Sequence, residues 1–340
     1  MKIIPIVPYE GPFIVNNFNN RLDVELILFS QCNLHCKHCK VKGLNSVFDK
    51  QSIIQQGDWA VQAIKSNRYK CEHVEVHVVG GELFQDHLDW SVYEEVIGKI
   101  ETALRDTKRK YTIGLTSNLT THRIEDVIAM FKKHSDWELS TSFDFAGRFS
   151  SNDLDTWVSN ILALRDHGIQ IRSISIVQHL PSLRAIKKGS SKTLKVFDDL
   201  YNSGCFQFEV CDYEDVHKLQ EYNPSKDEKF EFDKWFVDNY PDVIPFNRYA
   251  DAIKHNHIIS MIDSCPIETL DINSYGPTYE CCDKINCMKN ARLLKHCALC
   301  VYQQYCSINC PNAFTNMFPN DDYCPQSRLF AYIEQKVKNE

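Results

Sequence analysis

From about residue 22 to residue 210, short apolar runs alternate with longer stretches whose apolar residues recur at helical spacing. The runs Asp23–Phe29, Val74–Val79, Tyr111–Thr116, Trp137–Ser142, Ile169–Val177 and Phe206–Val210 read as strands. Between them, Ile124, Val127, Ile128 and Phe131 fall at i, i+3, i+4 and i+7, which is one helical face. Trp157, Ile161 and Leu164 form a second stripe that Gly168 ends; Leu194, Phe197 and Tyr201 form a third that Gly204 ends. Six strand–helix repeats with connections this long predict parallel strands joined by right-handed crossovers. A partial (β/α)6, TIM-like α/β barrel is the natural closure, and an open doubly wound sheet gives the same alternation. In either arrangement, ligands gather at the carboxyl ends of the strands.

The pattern changes at Tyr222–Lys229, a polar stretch that contains a proline. We read it as a boundary, dividing the chain into a barrel (1–222), a helical linker (223–263) and a small irregular cysteine-rich domain (264–340). The linker carries two helical segments, near Glu228–Tyr240 and Phe246–Asn256.

Composition narrows the class. Hydrophobic residues are 43 % of the 340, enough for a sizeable core. The net charge is −7 with no basic run, which speaks against a nucleic-acid partner. Met1–Tyr9 holds two prolines and no continuous apolar stretch, so it does not read as a signal peptide. No run of about 18 apolar residues occurs, so no membrane span and a soluble, cytoplasmic protein are expected.

Fifteen cysteines remain to be explained. Disulfide scaffolds that use cysteine this heavily are usually short and secreted, so metal is the better reading here. Three of the fifteen crowd into residues 32–39, and nine lie between Cys265 and Cys324. Cys32, Cys36 and Cys39 have the spacing C-x3-C-x2-C directly after the first strand. Three thiolates on one tight loop suit three corners of a cubane iron–sulfur cluster and leave the fourth iron open. An open coordination position is where a substrate can bind a metal. A zinc knuckle built on Cys36, His38 and Cys39 is the alternative, although no second cysteine pair lies nearby.

This triplet resembles that of the radical S-adenosylmethionine (SAM) superfamily. The resemblance implies a 4Fe–4S cluster on the loop after the first barrel strand, with SAM chelating the open iron. One electron then splits SAM into methionine and a 5′-deoxyadenosyl radical, which abstracts hydrogen from a C–H bond. Gly80-Gly81-Glu82 at the end of the second strand looks like the family's motif for the methionine ammonium, glycine letting backbone approach closely. Alone it reads as a plain turn. Thr116, Ser117 and Asn118 end strand three, and Ser142 and Asp144 end strand four. They match family positions that reach the SAM ribose and carboxylate, and Arg148 could fork onto that carboxylate. Ordinary caps and turns are the alternative for these residues. His38 occupies the place of an aromatic against adenine, or else faces solvent. Ile176 either lines the adenine pocket or is plain core.

The C-terminal cysteines run Cys265-x15-Cys281, then Cys297-x2-Cys300-x5-Cys306-x3-Cys310, then x13 to Cys324, with Gly276 five residues before Cys281. This resembles the SPASM domain of radical SAM enzymes, which implies two auxiliary iron–sulfur clusters. Carried over, Cys297, Cys300, Cys306 and Cys324 ligate one cluster, and Cys265, Cys281 and Cys310 the other. The second cluster keeps an open iron, takes Cys282 or Cys287 as fourth ligand, or is a 2Fe–2S centre. A zinc fold on Cys297, Cys300, Cys306 and Cys310 is the alternative.

The resemblance implies a peptide- or protein-modifying enzyme that carries out oxidation, crosslinking or epimerisation, fed by a flavodoxin- or ferredoxin-type electron donor. A dehydrogenase of small alcohols or sugars is the second reading, and a non-catalytic metal scaffold the third. About 20 residues precede the first strand, so a leader peptide is expected to dock elsewhere than on an N-terminal recognition domain. Candidate catalytic residues are Asp283, near where sulfatase-maturing relatives place an aspartate, Cys282, and Cys211 at the end of strand six. Cys282 and Cys211 are candidate hydrogen-atom donors.

Overall fold

Strict alternation gives each strand two different faces. In β4 (Trp137–Phe143) of a computed structural model, Trp137, Leu139, Thr141 and Phe143 are buried, and Glu138, Ser140 and Ser142 are partly open. The structure describes residues 19–39, 41, 44–66, 71–189, 191–213, 219, 221–256, 266–280, 300–302, 305 and 325–339. The buried face of β4 packs on α4 (Ser151–Asp166), whose Trp157 Nε1 donates to Thr141 Oγ1 at 3.1 Å. Its ring lies 5.4 Å from that of Phe143.

Four further strand–helix units and a last strand repeat this logic. They are β1 (Asn19–Ile27), α1 (Lys50–Lys65), β2 (His73–Val79), α2 (Ser91–Asp106), β3 (Lys110–Thr116), α3 (Ile124–Lys133), β5 (Ile171–Gln178), α5 (Leu180–Lys188), α6 (Lys192–Asn202) and β6 (Phe208–Asp212). Neighbouring strands from β2 to β6 pair in parallel. The sheet order is β6-β5-β4-β3-β2-β1-β7-β8, so the sheet has two edges and does not close. This unclosed, mostly parallel α/β sheet is the partial-barrel fold class expected from the sequence. Gly168 and Gly204, with φ of +75° and +65°, follow the ends of α4 and α6 in the left-handed geometry that a helix stop demands.

Sequence periodicity missed four elements. α5 hides behind a proline and a histidine. β7 (Pro266–Asn273) and β8 (Gly276–Glu280), joined through Asn273–Gly276, extend the sheet beyond β1 where irregular chain was expected. A helix, α9 (Pro325–Asn339), follows the cysteine-rich stretch.

By internal contacts the chain forms two compact units, one of residues 22–225 with 270–279, the other of 1–21, 226–269 and 280–340. In the second, α7 (Lys226–Asn239), α8 (Phe246–His255) and α9 pack together. Arg328 donates to Asp227 at 2.7 Å and lies 3.9 Å over the Phe230 ring, and Phe330 packs 4.8 Å from Tyr249. Among the described residues, no helix is long and apolar enough to cross a membrane.

Candidate functional site

The site lies at the carboxyl ends of β1 to β5, all within the first unit. After β1 the chain turns through Phe29–Gln31 into the cysteine loop, and the turn after β2 clasps it. Gly81 N donates to Phe29 O at 2.7 Å and Glu82 N to Gln31 O at 2.9 Å. A Cβ on Gly81 would stand 1.8 Å from Gln31 O, so only glycine permits the approach. Residues some 50 positions apart thereby become one structure.

Cys32, Cys36 and Cys39 stand on this loop outside any disulfide, Cys36 buried and the others half-buried. Cys32 Sγ accepts from Leu34 N at 3.3 Å and from Asn118 Nδ2 at 3.6 Å. Burial, above all, pushes the Cys32 thiol up to about 12, with Glu82, Cys36 and Cys39 adding to the rise. Burial likewise raises Cys36, against the pull of Arg148. Three adjacent thiolates need a cation to balance them, and soft sulfur donors suit iron. The donor set therefore fits an iron–sulfur cluster.

Glu82 is buried, and three protein donors saturate most of its carboxylate. Oε1 accepts from Phe84 N at 2.8 Å and Ser117 Oγ at 2.6 Å, while Oε2 accepts from Asn118 N at 2.5 Å. Burial pushes its carboxyl above the usual range, and these hydrogen bonds oppose the shift. Glu82 thus ties the end of β2 to the end of β3. Asn118 continues the chain of bonds through Nδ2 to Asn33 Oδ1 at 2.9 Å, and Asn33 Nδ2 reaches Thr120 Oγ1 at 2.8 Å. In Glu82→Gln an amide NH2 faces one of these donors. The expected cost is about 2 kcal/mol of stability, measured by chemical denaturation, with less cluster retained at the triplet.

Asp144 lies at the centre of a second cluster. His38 is 7 % exposed, Asp144 1 % and His179 0 %. His179 Nε2 donates to Asp144 Oδ2 at 2.7 Å. Ser182 Oγ and Ala146 N, the latter at 3.1 Å, donate to Oδ1. Burial alone would raise Asp144, yet His179, Arg148 and His38 outweigh it and hold the carboxyl below its usual range. The His38 ring stands 4.7 Å from His179 and 6.1 Å from Tyr222. Burial drives its pKa down to about 4, so it is neutral. His38 is therefore enclosed in the fold and does not face solvent. Its two ring nitrogens and Arg148 Nε are buried without a hydrogen-bond partner among the described residues. Such orphaned polar atoms beside the thiols fit a polar ligand there.

Other predicted residues fall elsewhere. Ile176 pairs in register with Phe143 and Val210, so it shares the face that packs on Trp157 in the helix-covered core. Thr116 is exposed, Ser142 is half-buried on the opposite sheet face, and Cys211 is half-buried on β6. Cys300 is half-buried, its thiol raised by burial. Cys265, Cys281, Cys282, Asp283, Cys287, Cys297, Cys306, Cys310 and Cys324 lie outside the described residues.

His179, Ser182, Asn33 and Tyr222 escaped the sequence reading. For the first two a signal exists: His179-Leu-Pro-Ser182 carries proline at the second helical position and serine three residues after the cap. His179 caps α5, accepting from Ser182 N.

No family model and no curated protein matches the chain. Solved structures do. Native anSMEcpe with bound AdoMet superposes with a TM-score of 0.63 at 14 % identity, covering 94 % of this chain and 98 % of that one. The same protein with bound AdoMet and the Cp18Cys peptide gives 0.61 at 14 % identity, with coverages of 94 % and 98 %. Identity this low speaks for the fold: the chain is built on the α/β architecture of an AdoMet-binding protein along nearly its whole length.

Proposed function

We propose that the chain is a radical SAM enzyme that modifies a peptide or protein. The observation that carries this is the clasp: two backbone hydrogen bonds join Phe29 and Gln31, which lead directly into the Cys32–Cys39 loop, to Gly81 and Glu82, bringing two distant motifs together. The similarity to a structure with bound AdoMet supports the cofactor, and the peptide in the second structure supports the substrate class.

Cys32, Cys36 and Cys39 would hold a 4Fe–4S cluster. With AdoMet bound and one electron delivered by an external reductant, it would supply methionine and a 5′-deoxyadenosyl radical able to remove hydrogen from a substrate C–H bond. The chain's own groups hold this centre in place. Leu34 N and Asn118 Nδ2 donate to the Cys32 sulfur, stabilising its thiolate form. Glu82 locks the ends of β2 and β3, and Arg148 brings a guanidinium to an anionic ligand group. In this reading, residues 1–222 are the catalytic barrel, 223–263 a helical linker and 264–340 a SPASM domain. Cys297, Cys300, Cys306 and Cys324 then hold one auxiliary cluster; Cys265, Cys281 and Cys310 hold the other. Asp283, Cys282 and Cys211 are the candidates for proton or hydrogen-atom transfer.

The test is anaerobic reconstitution followed by iron counting and addition of AdoMet with dithionite. About 12 iron atoms per chain and release of 5′-deoxyadenosine are expected. Bound zinc with intact AdoMet overturns the reading.

A further inference from the structure

β2 buries Val74, Val76 and Val78 on one face. Glu75 and His77 alternate with them and turn to the opposite face. Asp23 does the same on the neighbouring β1, between the buried Leu22 and Val24. One donor atom from each of Asp23, Glu75 and His77 lies within 4.8 Å of the other two. The three stand in the middle of their strands, apart from the strand ends that hold the cysteine loop and Glu82.

Their spacing is that of ligands to a common ion. His77 Nε2 is 3.4 Å from Glu75 Oε1, beyond the usual reach of an N–H···O bond, about 2.7–3.2 Å. Two atoms bound to one tetrahedral ion at about 2.0–2.1 Å stand about 3.3–3.4 Å apart. Glu75 is only 5 % exposed and is held from behind, its Oε1 accepting from Arg172 Nη1 at 2.9 Å. Arg172 also reaches Glu138, at 2.8 Å. A bulge aims it there: the register of β5 on β4 steps from Ile171 to Ser173 and skips Arg172. A second layer that fixes a ligating carboxylate is common at metal sites. Room is present as well. The His77 side chain is 37 % exposed. Its partner on β3 is Gly114, where an added Cβ would meet, among the described residues, only His77 Nδ1, at 3.7 Å. A glycine inside a strand often marks a place that something else approaches.

We propose that Asp23, Glu75 and His77 form a mononuclear divalent-metal site on this face of the sheet, distinct from the cysteine site. Two carboxylates and one imidazole suit Mn2+, Fe2+ or Zn2+. Three protein ligands leave coordination open towards Gly114, as in metals that hold water or an oxygen atom of a substrate. The site is independent of the AdoMet reading and stands or falls without it.

The experiment titrates the full chain, its iron in place and oxidised, with Mn2+ under electron paramagnetic resonance. Mn2+ is a hard ion for which thiolates are poor ligands, so the cysteines do not compete. Stoichiometric binding is expected, with nitrogen coupling from the His77 imidazole and, in D2O, deuterium coupling from water in the open positions. In His77→Phe the nitrogen coupling should vanish and binding weaken by at least about 10-fold. Asp23→Asn, nearly isosteric, should weaken binding by at least about 10-fold and keep the nitrogen coupling; it also serves should His77→Phe fail to fold. Each variant retains every other carboxylate, so Mn2+ that it still holds is adventitious. Unchanged affinity in either folded variant overturns the site, as does a wild type that binds no Mn2+ or binds it without nitrogen coupling. Absence of deuterium coupling overturns the open position.

Discussion

Gly81→Ala should lose about 3 kcal/mol or more of stability and most of the iron held by the first cysteine cluster. The new Cβ would meet Gln31 O at 1.8 Å, Gln31 C at 2.2 Å and Ser30 O at 2.4 Å. All three are backbone atoms, so no rotamer change relieves the overlap. The two strands must part, and the hydrogen bonds from Gly81 N to Phe29 O and from Glu82 N to Gln31 O go with them. Each is worth about 0.5–1.5 kcal/mol, and the clash adds its own term. Because Phe29–Gln31 leads straight into Cys32, the same displacement spoils the spacing of the thiols. Gly98→Ala is the control. Gly98 lies inside α2 with nothing within 4 Å of an added Cβ, so alanine there should stabilise by up to about 1 kcal/mol. Denaturant midpoints and iron counts on both variants make the comparison. Equal behaviour of the two would mean that the clasp does not position the loop.

How much of this was legible beforehand depended on the range of the signal. The strands β1 to β6 announce themselves because a strand of a helix-covered sheet must be apolar on its covered face, as Leu139 and Phe143 are. Gly168 and Gly204 mark helix ends because only a residue tolerant of positive φ fits there. The triplet and Gly80-Gly81-Glu82 were legible as motifs, since metal ligation and close backbone approach admit few residue types. Other contacts had no local signature. That Glu82 would spend its carboxylate on Phe84, Ser117 and Asn118 depends on the distance between two strand ends. That His38 would be enclosed by His179 and Tyr222 depends on where β5 and the chain near residue 222 pass the cysteine loop. β7 and β8 were missed because Gly276 and Pro277 interrupt any apolar run. Pairing beyond β1 settles their conformation, a tertiary effect that outweighs propensity.

Cys36→Ser should remove one cluster and all AdoMet cleavage while leaving the fold intact. In the iron-free chain Cys32 and Cys36 are protonated at neutral pH: burial holds Cys32 at about 12 and raises Cys36. Binding of iron is what draws off the protons, so ligation and deprotonation are one equilibrium. A serine hydroxyl is a harder donor with a higher pKa still, and two thiolates cannot retain a cubane that three had just secured. Iron should therefore fall from about 12 to about 8 atoms per chain, and 5′-deoxyadenosine formation by ~10³-fold or more, as when an essential reacting group is deleted. Two other cysteines separate this from loss of folding. Cys71 is buried and accepts from Arg109 Nη1 at 3.6 Å, so Cys71→Ser should cost stability and no iron. Cys205 is exposed, and Cys205→Ser should change neither. If Cys36→Ser keeps its full iron and still releases 5′-deoxyadenosine, the triplet is not the cluster site, and the metal of this chain resides among the cysteines after residue 264.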